Sequence, residues 1–456
     1  MTPNIVKNSI HTLSISALND QAQGLGTLEG IPVIVEQALP GETAEVKIIK
    51  VAKTCLVGKL RSVLVPAQER VQPFCPVFNR CGGCRLQHLS YPAQLEFKTN
   101  IVREQVSGVK ELPTVRIHAT IGMDNPFHYR NKALYPVGLR QGKIVMGFYA
   151  AHSHEIIEHP SCGIQDVRID RVMAYIRQFL ERSRISAYDE TQHSGLLRHV
   201  LIRVGMRSGE IMVALVVNGR DLPDKKRFIA SLTRAMPEIK SLALNCNQEK
   251  TNVILGTENR VMFGTDVIRD GLGVFQFDIS PSSFYQVNPR QTEVLYRKAV
   301  EYAALSGTET VLDLYCGVGT IACFLARQAQ QVYGIEAVES AVHDASSNAA
   351  LNKLNNVEFL QGPAADQLHE LAVRGVQPEV VVVDPPRKGC EQRVLDAMIA
   401  MQPQRIVYVS CAPNTLARDL AYLARHGLQT LEIQPVDLFP HTAHVECVAR
   451  IERKDH

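Results

Sequence analysis

Between residues 4 and 66, apolar and polar side chains alternate in short runs broken by glycine turns. GLGTLEG, IPVIVEQALPGE, TAEVKIIKV and TCLVGKLRSVL each carry the period of two that turns one face of a strand to a core and the other to solvent. Their close spacing predicts a small half-buried β-barrel. The pattern then changes, and YPAQLEFKTNIVREQV has helical spacing. From about 116 to 277 strand-like runs dominate, among them VRIHA, KALYPVGLR, LRHVLIRVG, EIMVALVVNG and NVILG, which predicts a mixed, mostly β central region. From about 285, TVLDLYCGVGTIACFLA, QVYGIEAV, VEFLQG, EVVVVDPPRKG and RIVYVSC are apolar strands separated by helix-like stretches. That alternation implies a parallel sheet covered on both faces, a doubly wound α/β domain. The last runs, LEIQPVDLF and HVECVARIER, lie close together and predict an antiparallel edge. A chain of 456 residues is long enough for about three domains, and the textures place them at 1–66, 67–277 and 278–456. No repeat of fixed period and no low-complexity tract interrupts them.

Composition changes this picture in three respects. A hydrophobic fraction of 45% excludes a disordered chain. The first twenty residues lack the basic start and continuous apolar core of a signal peptide, and no apolar run approaches the roughly 18 residues that span a bilayer, so a soluble, cytoplasmic protein is expected. Net charge is +3, from 49 basic and 46 acidic side chains; this permits nucleic-acid binding only if the basic residues share a face. Tryptophan is absent, so base stacking would fall to Tyr, Phe, His or Arg.

Eleven cysteines in a reducing compartment point to metal binding or catalysis before disulfides. Cys75, Cys81 and Cys84 form C-x5-C-x2-C in CPVFNRCGGCRLQH, and HPSC adds Cys162. Gly82 and Gly83 let the chain wrap, and such a set implies a metal or an iron–sulfur cluster. Spacing leaves zinc and [4Fe–4S] both open, and His152, His154 and His159 enlarge the donor set. Cys55, Cys246, Cys316, Cys323, Cys390 and Cys447 have no partner pattern and read as packing residues.

In VLDLYCGVGTIACFLA a strand ends in an acid and a G-x-G turn opens a helix. The glycines let backbone pass close to a ligand at the carboxyl end of the strand, where open α/β sheets bind. The third glycine of a dinucleotide fingerprint is missing, which argues for a nucleoside without pyrophosphate. The next strand ends at Glu336, seventeen residues beyond Gly319, where a carboxylate offers two acceptor oxygens to the hydroxyls of a ribose. Loop and acid together read as an S-adenosylmethionine site in a Rossmann-like methyltransferase. In VVVVDPPRKG four valines form a buried strand that delivers Asp384 to the cleft, and two prolines stiffen the loop behind it. Enzymes that methylate exocyclic amino groups follow such prolines with an aromatic residue; Arg387 stands there instead.

Cys411 ends RIVYVSC, just before a helix expected near Pro413. A helix N-terminus favours the thiolate, although the usual fate of a free cysteine is to pack as a small hydrophobe. A nucleophile suits one target. Carbon 5 of a pyrimidine is too electron-poor to attack a methyl donor until a thiolate adds at carbon 6, and a base must then remove the carbon 5 proton. Glu446 in FPHTAHVECVARI is the candidate base. Cytosine 5-methyltransferases resemble a different layout, with a Pro-Cys dipeptide that this chain lacks, so uracil is favoured.

The stretch IPVIVEQALPGETAEVKII resembles the TRAM domain, a compact RNA-binding barrel of OB type. YQVN at Tyr285 to Asn288, LDLYCGVGT, DPPRKG, SCAPNTLARDL and FPHTAHVE, in this order, resemble the RNA uracil-5-methyltransferase family. With the barrel and the cysteine cluster, the chain resembles the bacterial 23S rRNA branch along nearly its whole length. The fold this implies is α/β, a Rossmann-like S-adenosylmethionine methyltransferase domain preceded by a TRAM barrel and a mixed, mostly β central domain. The resemblance implies Cys411 as nucleophile, Glu446 as proton-abstracting base, and cofactor contacts from Gln286, Tyr315, Glu336 and Asp384. It also implies a [4Fe–4S] cluster on Cys75, Cys81, Cys84 and Cys162. The implied partner is RNA, 23S rRNA foremost, with no DNA or membrane partner, acted on by a monomer. One departure stands beside the nucleophile: relatives carry Asn or Asp where this chain has Ala412. Another is Pro363, where some relatives place a polar residue facing the adenine, and that position is not carried over.

A target uridine within folded RNA must be turned out to meet thiol and cofactor. FHYRNKALYP, with Arg130 and Lys132 among His128, Tyr129 and Tyr135, has the composition of an RNA-contacting surface and equally that of a solvated strand face. Two rival readings are a tRNA thymidine-loop enzyme with the same chemistry, and a non-catalytic RNA-binding assembly protein, which would have a broken cofactor loop or no nucleophile.

Overall fold

The computed structural model describes residues 5–454; the outermost positions of the expected 1–66 and 278–456 units lie outside them. Five strands, Ile10–Leu18, Gly24–Leu28, Ile31–Glu36, Leu56–Val65 and Thr43–Val51, close in that order into a barrel. Its interior is Leu13, Ile15, Val33, Val35, Ala44, Val46, Ile48 and Leu56, the inward half of the alternating pattern. At Gly58 the strands approach so closely that a Cβ would lie 2.2 Å from Val46 Cγ1, so no other residue fits this corner.

A six-stranded sheet follows, ordered Glu258–Gly264, Ile239–Cys246, Ile211–Val217, Leu197–Val204, Lys132–Arg140, Lys143–Met146. Ile211–Val217 is buried at all seven positions, hence its continuous apolar sequence rather than alternation. The run NVILG, expected as a strand, is irregular. Asn247 Nδ2 donates to the carbonyls of Val253 (2.8 Å) and Ile254 (2.9 Å), taking the place of a ladder partner.

The C-terminal sheet has eight strands, ordered Val357–Gln361, Gln331–Glu336, Thr310–Leu314, Val380–Val383, Arg405–Ser410, Glu446–Arg453, Leu428–Val436, Arg116–Ile117. The first five are parallel and Glu446–Arg453 is antiparallel to its neighbours. Val380 and Val382 enter the core on one face, Val381 and Val383 the core on the other, so the four-valine run feeds two helical layers. The last two runs pair as expected, but the outermost position is taken by Arg116–Ile117, parallel to Leu428–Val436. The preceding helix, Tyr91–Ser107, is anchored to the same region: Lys98 is ion-paired with Asp437, both side chains fully buried, and donates to the Phe439 carbonyl at 3.0 Å. A stretch expected within the central unit therefore completes the C-terminal one, because its polar anchors lie more than three hundred positions downstream. No helix among the described residues is long and apolar enough to cross a membrane.

Candidate active site

The carboxyl ends of four adjacent parallel strands meet the start of an antiparallel one at a single edge. Leu314 pairs with both Ile335 and Val383, so the residues that follow, Tyr315, Glu336 and Asp384, emerge side by side. Ser410 pairs with Cys447 in antiparallel register; one step further brings Cys411 opposite Glu446. Two candidates thirty-five positions apart in sequence thus become neighbours through strand pairing.

The loop after Thr310–Leu314 turns at once. Tyr315 has φ +63°, Gly317 +55° and Gly319 +78°, a left-handed path that is costly at the tyrosine and tolerated at functional turns. Glu336 holds this loop: one carboxylate oxygen accepts from Gly317 N at 3.1 Å, the other from Val338 N at 2.9 Å. Each oxygen keeps a lone pair free for a ligand. Gln286 is positioned by its backbone, whose carbonyl accepts from Asn131 Nδ2 at 3.2 Å. Two positions on, Asn288 caps the helix Pro289–Ala303 and donates to the Leu438 carbonyl at 2.9 Å. The YQVN segment thereby clamps the central sheet to the loop that leads to Glu446.

The loop carrying Asp384 and Arg387 is stapled to the helix Pro413–Arg425. Asp419 Oδ2 accepts from Cys390 N at 2.9 Å and from the Tyr408 hydroxyl at 2.6 Å, while Arg418 donates to the Lys388 carbonyl at 3.0 Å. All six candidates, Gln286, Tyr315, Glu336, Asp384, Cys411 and Glu446, line one cavity of about 460 Å³, within the size range of small-molecule and cofactor sites. Phe284, Tyr296, Arg387, Phe439 and His444 complete its wall. Sequence reading missed these as lining residues; FPHTAHVE was read for its glutamate, and its Phe and His carried no separate signal.

Three acidic groups in this cavity resist ionisation. Burial raises the Glu446 carboxyl well above the usual range, and Asp384 adds to the rise. Withdrawal from water pushes Asp384 itself up to about 6. The helix N-terminus predicted a lowered Cys411 thiol, but burial, then Glu446 and Asp384, outweigh it and push the thiol up to about 11. Arg387 is the cation that opposes the rise at both Cys411 and Glu446. Behind them Asp313 is fully buried with neither carboxylate oxygen hydrogen-bonded to a side chain, and burial holds it well above its ordinary value.

Cys75, Cys81, Cys84 and Cys162 are free thiols lining a second cavity of about 400 Å³. Burial raises Cys81, and pushes Cys84 up to about 12 and Cys162 to about 11, each increased by neighbouring thiols. Among the described residues no three His, Cys, Asp or Glu side chains converge on a single metal-ion position. Of the three histidines, His154 and His152 face Glu190 and Glu36 at the surface. His159 is buried on this cavity, with both ring nitrogens unpartnered and its ring stacked on Phe148 at 5.2 Å.

An open, largely parallel sheet with an acid, Glu336, at one strand end and a thiol–carboxylate pair, Cys411 and Glu446, at the same edge has the layout of a Rossmann-like methyltransferase. Comparison with known proteins narrows the class. The chain belongs to the tRNA (Uracil-5-)-methyltransferase family, which it matches over residues 90–454, and residues 7–60 match the TRAM domain. It is 46% identical to an uncharacterized RNA methyltransferase of Oceanobacillus iheyensis over 99% of this chain and 98% of that protein. An uncharacterized RNA methyltransferase of Clostridium tetani is 45% identical over 97% of this chain and 96% of its own length. Among solved structures, the Pyrococcus abyssi tRNA (uracil-54, C5)-methyltransferase in complex with S-adenosyl-L-homocysteine superposes with TM-score 0.78 at 28% identity, covering 97% of this chain and all of that one. The TRAM barrel and the family together make RNA the substrate of this enzyme.

Proposed function

We propose that this enzyme methylates carbon 5 of a uridine in 23S rRNA through a covalent adduct on Cys411. The observation that supports the reading best is the register that sets Cys411 beside Glu446 in the cavity that also takes in Gln286, Tyr315, Glu336 and Asp384. The cofactor residues fit their group: Glu336 keeps free acceptor positions for a ribose, and the left-handed Tyr315 turn leaves the strand ends open. When bound, S-adenosylmethionine supplies an electrophilic methyl group on a sulfonium. Cys411 gives its proton to water, and its sulfur bonds to carbon 6 of uracil while the carbon 5–carbon 6 π pair shifts toward the carbon 4 oxygen. Carbon 5, now nucleophilic, would bond to that methyl as the methyl–sulfur bond breaks and the pair returns to sulfur, leaving a neutral thioether. Glu446 then removes the carbon 5 proton, the double bond re-forms, and the carbon–sulfur bond breaks to return the thiolate. A base with a raised pKa, in a site drier than water, is suited to that proton. Arg387 stabilises the negative charge that passes between thiolate, enolate and carboxylate.

We assign Cys75, Cys81, Cys84 and Cys162 to a [4Fe–4S] cluster on the family resemblance. All four line one cavity, and the family resemblance, rather than their spacing, is what favours the cluster over a zinc ion. Methyl transfer is redox-neutral, so the role assigned to the cluster is to staple the central region. The chain divides at 1–66, 67–277 and 278–456, with Tyr91–Ser107 and Arg116–Ile117 of the middle part packed on the C-terminal sheet, and the molecule acts as a monomer. A second reading, the same chemistry on a tRNA thymidine-loop uridine, draws on the Pyrococcus enzyme's target. Methylation of 23S rRNA and tRNA transcripts, with 5-methyluridine mapped in both, separates the two: product in tRNA alone overturns the ribosomal target. Glu446→Gln is expected to trap a protein–RNA adduct stable to denaturing electrophoresis, and Cys411→Ala none; a fully active Cys411→Ala enzyme refutes the covalent scheme.

A further inference from the structure

The cysteine cavity and the nucleophile cavity are contiguous. Arg387, Phe439 and His444 line both, forming a common wall. Across from that wall, on the cysteine side, lie Arg130 and Lys132 at the start of the Lys132–Arg140 strand. No carboxylate lines this second cavity, although three cations do. Among the described residues none of the three forms an ion pair; Lys132 also donates no side-chain hydrogen bond and has another cation, Arg203, as its partner in the strand register. The Arg130 guanidinium lies 6.0 Å from the centre of the Phe439 ring. Arg387 is exposed and Arg130 and Lys132 are half-buried; burial, then Arg203 and Arg130, push the Lys132 ammonium down to about 7, a cost that a bound anion would relieve, and three basic groups gathered without a carboxylate have the electrostatics of an anion site.

We propose that Lys132, Arg130 and Arg387 form a phosphate-binding subsite for the RNA linkage next to the target uridine, at the junction of the two cavities. The subsite rests on the reading of the nucleophile cavity as the uridine site: a base inserted toward Cys411 brings its own backbone to the rim, and the common wall is that rim. Neutralising the cysteines would not require Arg387, which belongs to the exposed DPPR loop and faces Cys411. The two further wall residues, Phe439 and His444, offer ring faces to the neighbouring base. Of the two readings its sequence left open, Lys132 thereby takes the RNA-contacting one, directed at a backbone phosphate.

The test measures RNA binding separately from methylation. A short RNA that wild-type enzyme methylates is prepared with a neutral methylphosphonate on the 5′ or the 3′ side of the target, and binding is followed by fluorescence anisotropy for wild type and Lys132→Met. The expected result is a loss of affinity on the order of tenfold for Lys132→Met, a salt slope lower by about one, and unchanged visible absorbance and metal content. One of the two neutral linkages should weaken wild-type binding similarly and add little to the variant. Unchanged affinity with both linkages overturns the subsite, as does a variant whose only defect is lost metal, which would assign the lysine to the cysteines. The neutral linkages keep the test open if Lys132→Met does not fold. Absence of methylation by wild type on any uridine RNA would instead refute the functional reading on which the subsite rests, an outcome distinct from unchanged binding to a methylated substrate.

Discussion

Glu446 is 4% exposed, and among the described residues no donor bonds its carboxylate. Its ordinary value is 4.5, and burial followed by Asp384 holds it well above that in the folded protein. From pH 4.5 upward the unfolded chain gives up this proton while the native state retains it. The native state therefore binds more protons, and the contribution of this carboxyl to stability falls as pH rises toward the folded value. Glu446→Gln removes the titration and keeps the shape. The variant is expected to unfold at a higher temperature than wild type at pH 8, with the gap closing toward pH 4.5, as scanning calorimetry of the two proteins side by side would show. A wild type as stable as the variant at pH 8 would mean that Arg387 fully compensates the buried charge. The same electrostatics explain why the thiol at a helix N-terminus is not a resting thiolate: two carboxyl groups and burial outweigh a helix terminus.

The helix Pro413–Arg425 begins at Ala412, whose φ of −138° and ψ of 94° are those of an N-cap, yet no side chain caps it. Ser410 Oγ accepts from Ala412 N at 3.1 Å and Thr415 Oγ1 donates to the Ala412 carbonyl at 3.1 Å, which orders the turn but leaves the helical N–H groups unmet. Ala412→Asn supplies the missing acceptor without adding charge beside Cys411. It should raise stability by about 1 kcal/mol, read from urea unfolding as a higher midpoint at unchanged slope; an unmoved midpoint would show that water already serves those donors. At this scale the sequence was informative where burial is continuous or strictly alternating. The Val380–Val383 and Arg405–Ser410 strands, and with them Asp384 and Cys411, were legible for that reason. The two-residue strand Arg116–Ile117 carries no period of its own, and its place at the sheet edge depends on Leu428–Val436. Lys98 read as a polar position on a helix, but is fully buried because Asp437 meets it from far downstream. Lys132 read equally as part of an RNA-contacting surface and as a solvated strand face, and the fold places it on the cysteine cavity.

Across the whole molecule, the cysteine segment and the residues just before it reach the barrel, the central region and the loop that bears Phe439 and His444. Arg70 is paired with the buried Glu42 of the barrel, and Gly82 N donates to the Tyr149 carbonyl of the central region at 2.9 Å. Arg85 N and Leu86 N both donate to the His441 carbonyl, at 2.9 and 3.0 Å, within the loop that carries Phe439 and His444 to the nucleophile cavity. The proposed cofactor residues, by contrast, lie at strand ends of the C-terminal sheet and in the YQVN clamp, and among the described residues none of them is bonded to the cysteine segment. A cluster on Cys75, Cys81, Cys84 and Cys162 would therefore hold the RNA-facing wall and leave the cofactor side self-supporting. Protein purified without oxygen is expected to be brown, with broad visible absorbance. Cys84→Ser should lose that colour and most RNA affinity while titrating S-adenosylhomocysteine as wild type does in calorimetry. A colourless, zinc-loaded anaerobic preparation would refute the cluster. A variant that loses S-adenosylhomocysteine binding together with RNA binding would show that the staple supports the entire fold rather than one wall of the site.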